Sequence, residues 1–314
     1  MFAVLGEALL DMVQTQRGTT YVARPGGGPF NIAVGLRRLG HPTALLARIS
    51  TRGLGGIVRA HAARNDLDLS GCIDTDDQTT LAFASLDEAG RASYDFYVEG
   101  TADWGWTPAE LATLPPDTQV FHTGSLTTAL SPGADVVLDR MERLHAQGHV
   151  LLSYDPNIRP ALAGPREDAV RRVERFVATA HVVKASDEDL AWLYPDIDPV
   201  LAARRWSAHG PRLVVVTRGP QGCLAVTRSG ALVERDSARV DVVDTIGAGD
   251  SFESGLLSGL VDAGATTPDL VDGLAESAVG DVLDRAVLTS AMTCQRAGAD
   301  PPSRAEYDAR RGAE

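Results

Sequence analysis

The 314 residues, 44% of them hydrophobic, allow one large α/β unit with a substantial core. With 29 Lys and Arg against 42 Asp and Glu the formal charge is −13, which argues against nucleic acid or an anionic membrane as the main partner. No apolar run approaches membrane-spanning length, and the scattered Cys72, Cys223 and Cys294 carry neither a disulfide framework nor zinc-ligand spacing, so a cytoplasmic location is expected.

Residues 2–5 read as a first strand. Asp11 follows closely, near the carboxyl edge where α/β sheets gather their ligands. Residues 12–24 read as a β-hairpin turning at Arg17-Gly18. Gly26-Gly27-Gly28 then opens a helix over about 29–39, with Pro29 suited to its first turn and Gly40 to its stop. Glycines there let the backbone approach a ligand, and Asn31 in the first turn offers both donor and acceptor to a hydroxyl. A strand is expected at 43–49 and a helix at 53–64. Residues 79–83 and 93–97 alternate in polarity and are joined by Asp87-Glu88-Ala89-Gly90, a second hairpin signal. Trp104 and Trp106 suit either a core or a site.

Further along, 120–125 reads as a strand with its exit turn, and 134–147 as a helix stopped by Gly148. A strand at 149–154 runs into Asp155-Pro156-Asn157-Ile158-Arg159-Pro160. Arg159 there could grip a phosphate or sugar oxygen in a forked geometry that Lys cannot supply; a turn with a surface Arg is the plainer alternative. A helix over 169–180 and a strand over 181–184 lead to Ser186-Asp187-Glu188-Asp189, a capping Ser with acids in a first helical turn. The apolar strand 212–216 suits a buried parallel position, and Thr217-Arg218-Gly219-Pro220-Gln221-Gly222 turns it into a strand over 223–227. Strand–helix alternation over most of the length predicts a doubly wound, mostly parallel sheet with helices on both faces, an α/β/α sandwich.

The stretch with the most chemistry is Asp244-Thr245-Ile246-Gly247-Ala248-Gly249-Asp250, placed between a β-prone segment at 240–243 and a helix at 251–263. Gly247, Ala248 and Gly249 can turn successive N–H groups toward one point at a helix start, an anion site. Asp250 beside it would oppose a phosphate unless it accepts the proton of an attacking hydroxyl. A second helix is expected over 283–296, ending at Gly298, and an irregular polar tail after Pro302.

Asp-Thr-x-Gly-Ala-Gly-Asp resembles one signature of the ribokinase-like (PfkB) carbohydrate kinases, and Gly26-Gly27-Gly28-Pro29-Phe30-Asn31 the other. The two stand in the expected order about two hundred residues apart, and the resemblance spans essentially the whole chain as one kinase domain. It implies the ribokinase-like fold, with residues 12–25 and 79–104 forming a small β-lid over the sugar and a homodimer contact. It implies transfer of the γ-phosphoryl of ATP to a primary sugar hydroxyl. Asp11, Gly27, Gly28, Asn31, Phe96 and Arg159 would hold the sugar, and Asp250 would act with the Gly247, Ala248 and Gly249 amides. Lys184, Ser186, Thr217, Gly219, Gly222 and Gly249 would face the nucleotide, with Val287 and Ser290 at adenine. Asp189 would hold Mg²⁺ through water, and Asp244 with the Ile246 carbonyl resembles a K⁺ site. Asp155-Pro156-Asn157-Ile158-Arg159 resembles fructokinases and 2-keto-3-deoxygluconate kinases, and Ser186 with Ala102-Asp103-Trp104 favours the bacterial fructokinases. Ribose, 2-keto-3-deoxygluconate and a silent sugar-binding regulator are the alternatives.

Overall fold

The computed structural model describes residues 1–16, 20–86 and 92–312. The expected turns at Arg17-Gly18 and Asp87-Glu88-Ala89-Gly90 lie outside the described residues. The chain opens with β1 (Phe2–Leu5), β2 (Leu9–Gln16), β3 (Thr20–Gly26) and α1 (Gly28–Arg38). There follow β4 (Thr43–Leu46), β5 (Arg48–Ser50), α2 (Gly53–Arg64), β6 (Ile73–Thr75), β7 (Leu81–Leu86) and β8 (Ala92–Tyr97). The middle holds β9 (Val120–Gly124), α3 (Gly133–Gln147), β10 (Leu151–Asp155), α4 (Arg166–Thr179), β11 (Val182–Ser186), α5 (Asp187–Leu193) and α6 (Pro199–Ser207). Last come β12 (Leu213–Thr217), β13 (Cys223–Thr227), β14 (Leu232–Arg235), α7 (Ala248–Asp262), α8 (Pro268–Asp272), α9 (Glu276–Cys294) and α10 (Arg304–Arg311).

An eight-stranded sheet runs β14-β13-β12-β11-β10-β9-β1-β4. It is parallel from β4 to β12, and β13 and β14 are antiparallel. The near-continuous apolar strands suit this, because both faces are covered. Alternate residues sort to opposite sides. Val4, Leu45 and Val215 pack under α1, α2, α7 and α9, while Leu5, Phe121, Tyr154 and Val216 pack under α3, α4, α5 and α6. From β1 the chain steps to β4 on one side and returns to β9 on the other, so the crevice at the carboxyl ends of β1, β9 and β10 is a topological switch point.

A second sheet, β3-β2-β7-β8, stands over this edge. The register pairs Asp11 with Ala82 and Ala82 with Phe96, so these three side chains share one face.

Three expectations need correction. The strand expected at 43–49 breaks at Ala47, because β5 leaves the large sheet to pair with β6. Residues 240–243 form no strand; β14 already closes that edge, and the Val243 and Asp244 amides donate to the Cys294 carbonyl instead. The tail is not irregular. Ser303 and Glu306 make a capping box that starts α10, and Tyr307 buries itself against Leu39, Leu288 and Met292. Trp104 and Trp106 are buried, Trp106 within the main core.

Candidate active site

The exits of the parallel strands build the site. Glu7 follows β1, Ser125 follows β9, Asn157 follows β10, Ser186 ends β11 and Thr217 ends β12. Ser125 and Asn157 both have positive φ, 54° and 40°, which L-residues seldom adopt and which clusters at functional sites. Above these exits lies α7, whose N-cap Gly247 has φ 74°. A Cβ on Gly247 would stand 2.5 Å from the Ala299 Cβ, so the loop requires glycine there.

Two cavities meet at this helix start. The first, about 420 Å³, is lined by Glu7, Asp11, Gly27, Gly28, Asn31, Phe96, Asn157, Arg159 and residues 245–250. The second, about 490 Å³, is lined by Thr217, Gly219, Gly222, Val287, Ser290, Gly249 and the loop residues Ser237, Ala238, Arg239, Val240 and Val242. Thr245, Ala248 and Gly249 belong to both walls. A cleft of about 360 Å³ joins them on the other side, lined by Asn157, Arg159, Lys184, Ser186, Asp187, Glu188, Asp189, Thr217 and Gly249.

Asp250 is buried, and its Oδ2 accepts from Asn31 Nδ2 at 2.8 Å across 219 residues of chain. Burial raises its pKa above the ordinary carboxylate value, against the pull of the Asn31 hydrogen bond, Lys184, Arg159 and His122. Burial likewise pushes Asp11 up to about 6, helped by Asp250 and Glu7 and opposed by Arg159. Gly26 makes room for Asp11, since a Cβ there would sit 2.0 Å from its Oδ2. Arg159 Nη1 donates to Asn157 Oδ1 at 2.7 Å, which fixes the guanidinium between the first cavity and the cleft.

Lys184 is buried and donates to Asp155 Oδ2 at 2.8 Å. Burial works against its charge, but Asp155, with Asp189 and Glu253 behind it, holds its pKa above the ordinary value. Its Nζ lies 3.2 Å from where a Gly249 Cβ would be, so a positive charge stands at the helix start. Ser290 Oγ donates to the Ala248 carbonyl at 2.9 Å and steadies the same turn.

Two of the three residues expected at metal sites, Asp189 and Asp244, also hold backbone amides. Asp189 is buried; its Oδ1 accepts from the Ile158 N–H, and its Oδ2 from the Ser186 N–H and Oγ in a capping box. Asp244 accepts from the Ile246 N–H at 3.0 Å and the Gly298 N–H at 2.7 Å, folding the signature loop. Glu7, Ser125, Asn157 and the loop at 237–242 were not singled out as site residues from sequence. Only the Gly124-Ser125 strand exit and the Asp155-Pro156-Asn157 turn carried a signal for any of them.

The pfkB family carbohydrate kinase model matches residues 1–306. The chain belongs to this family. It is an ATP-dependent carbohydrate kinase with a ribokinase-like fold. A fructokinase of Rhizobium leguminosarum bv. trifolii is 37% identical over 284 residues, covering 89% of this chain and 85% of that protein. The crystal structure of fructokinase with bound ATP from Xylella fastidiosa superposes with a TM-score of 0.88 at 27% identity, covering 100% of this chain and 99% of the other. A Vibrio cholerae O395 fructokinase double mutant, bound to fructose, ADP and potassium ion, gives 0.85 at 25% identity, with 98% and 97% covered. The kinase signatures of this chain are the two glycine segments that Asn31 and Asp250 bring into contact.

Proposed function

We propose that this kinase transfers the γ-phosphoryl group of ATP to a primary hydroxyl of fructose. The observation that carries the reading is the Asp250 carboxylate, held by Asn31 at the helix start where both cavities meet. Asp250 accepts the proton of the attacking hydroxyl. The Gly247 and Gly249 amides and the Lys184 ammonium receive the charge of the transferring group, and the Ala248 N–H, which donates to the Thr245 carbonyl at 3.1 Å, holds the turn that presents them. Asp11, Asn31 and Arg159, with the Gly27 and Gly28 backbone and Phe96 beside them, orient the sugar. The nucleotide lies against Thr217, Gly219 and Gly222, with adenine near Val287 and Ser290. The small sheet serves as the lid that keeps water from competing with the sugar.

Charge favours a neutral acceptor. Glu7, Asp11 and Asp250 face the acceptor cavity with Arg159 as the one basic residue among the described residues that line it, so a sugar acid such as 2-keto-3-deoxygluconate meets repulsion. The fructokinases among its relatives point to fructose over ribose. A silent binder would have no use for a buried base.

Mg²⁺ fits the cleft, where the carboxylates of Asp187, Glu188 and Asp189 offer hard oxygen donors beside the cationic Lys184 and Arg159. Asp189, with Asp187 and Glu188 beside it, would meet the ion's water shell, since its capping bonds leave acceptor capacity on the carboxylate; bound there, the ion offsets phosphate charge. Potassium near Asp244 would draw chiefly on carbonyl oxygens such as that of Ile246, because both Asp244 oxygens accept amides. The outer face of the small sheet carries Tyr21, Phe83 and Tyr97 in edge-on contact, with Tyr97 61% exposed, and we assign it as the homodimer contact, which sedimentation of Tyr97→Asp checks. A coupled assay with ATP and Mg²⁺ over fructose, ribose and 2-keto-3-deoxygluconate, in K⁺ and in Na⁺, tests the function. Fructose should give the highest kcat/KM; phosphorylation of none, with sugar still bound, would support the silent binder.

A further inference from the structure

One turn beyond Asp250 on α7, Glu253 enters the layer between helix and sheet. Its side chain is fully buried, as are those of His122 on β9 and Ser153 on β10, which are register partners in the parallel ladder. The Ser153 hydroxyl donates to Glu253 Oε1 at 2.6 Å. His122 Nδ1 lies 3.0 Å from Ser153 Oγ and 3.4 Å from Glu253 Oε1. Ser153 has a single proton and gives it to Glu253, so Nδ1 must carry its own and donate it to Ser153 Oγ. A hydrogen-bond chain therefore runs from strand to strand to helix.

Such a chain is a costly way to dock a helix. Desolvating a carboxylate is unfavourable, and apolar side chains of the same size would pack there without that cost. Glu253 Oε2 and His122 Nε2 have no hydrogen-bond partner among the described residues, which adds to the cost. The chain does have what apolar packing lacks, a fixed distance and direction. Residues three apart on a helix share a face, so a bond that fixes Glu253 also fixes the turn bearing Asp250.

We propose that His122, Ser153 and Glu253 are positioning residues that hold the first turn of α7, and with it the Asp250 carboxylate, at the distance proton transfer requires. The proposal rests on Asp250 being the base. None of the three touches a reacting atom.

Ser153→Ala removes the middle link and leaves a residue that fits a buried strand. It should lower kcat for fructose by about tenfold or more, the scale of a sub-ångström misplacement, and leave both KM values within about twofold. In an Asp250→Asn background the same change should lower the residual turnover by less than about twofold, because its route of action is gone. An equal loss in both backgrounds, or full kcat in the single variant, would overturn the proposal. A second readout needs no activity. In ¹⁵N-labelled wild-type protein the His122 imidazole, assigned by its loss in His122→Gln, should carry a proton on Nδ1; a proton on Nε2 alone would refute the chain. Failure of the wild type to phosphorylate any sugar would instead count against the kinase reading, while the imidazole measurement would still decide the chain.

Discussion

The acceptor cavity is walled by Glu7, Asp11, Asn31, Asn157, Arg159 and Asp250, polar groups drawn from five separate segments along most of the chain. Among the described residues the nucleotide cavity takes its wall from 217–294, largely Pro220, Ala238, Val240, Val242, Phe252, Val287 and Ala291. The difference follows from what each must hold. A sugar brings many hydroxyls whose water must be replaced by placed donors and acceptors, so each lost partner leaves a buried group unpaired. A flat base brings apolar area, which tolerates a changed side chain because the driving force is not directional. Substitutions on the acceptor side should therefore cause large losses, and those on the nucleotide side small ones.

The largest loss is expected at Asp250→Asn. Turnover should fall about 10³-fold, within the range of lost general-base catalysis, while calorimetry still detects fructose and ATP binding. Near-normal turnover would remove Asp250 from the mechanism. In the wild type, kcat/KM should fall on the acid side at a pH above the ordinary carboxylate range, because Asp250 works ionised and burial raises its pKa.

Next comes Asp11→Asn, with the fructose KM rising about 100-fold, the worth of a charged hydrogen bond, and the ATP KM unchanged. The same variant should be more stable at neutral pH. Asp11 titrates at about 6 in the folded protein against an ordinary value of 3.8. A raised folded pKa means that its contribution to stability is complete below 3.8 and is lost as pH rises through 6. Asn escapes that loss, so thermal unfolding should give a gain on the order of 1 kcal/mol at pH 7.5 and none at pH 4. A destabilised variant at pH 7.5 would show that Asp11 anchors the small sheet rather than the sugar.

The smallest effect is expected at Val242→Ala on the nucleotide wall. Val242 is 60% exposed and lies beside the cavity, so trimming it should raise the ATP KM only about twofold to threefold and leave the fructose KM alone. A tenfold change would mean that the loop at 237–242 closes over the base.

Much of the acceptor side was legible in the sequence because its chemistry is local to short segments. A triple glycine before Asn31, and a glycine pair before Asp250, each announce a backbone that turns its amides outward. Their meeting at 2.8 Å is the one non-local fact that the segments could not state separately. The nucleotide side was less legible. Val240 and Val242 read as a β-strand, since apolar β-branched residues suit either a sheet or a binding wall, and only the closure of the edge by β14 decides between them. The capping of the helix at Ser186 was legible from its own residues, whereas the Ile158 amide that takes the other Asp189 oxygen comes from a separate strand exit and was not. Tryptophans 104 and 106 carried no periodicity that would separate core from site. The helix at 304–311 was missed because its apolar face is essentially one residue, Tyr307.

The small sheet bears Asp11, Ala82 and Phe96, and none of its described residues lines the nucleotide cavity. One seat is thus finished within the large sheet and its helices, whereas the other is assembled from two bodies. The order of arrival is consequently unconstrained for the nucleotide, while a productive encounter with the sugar demands that both bodies be in register at once.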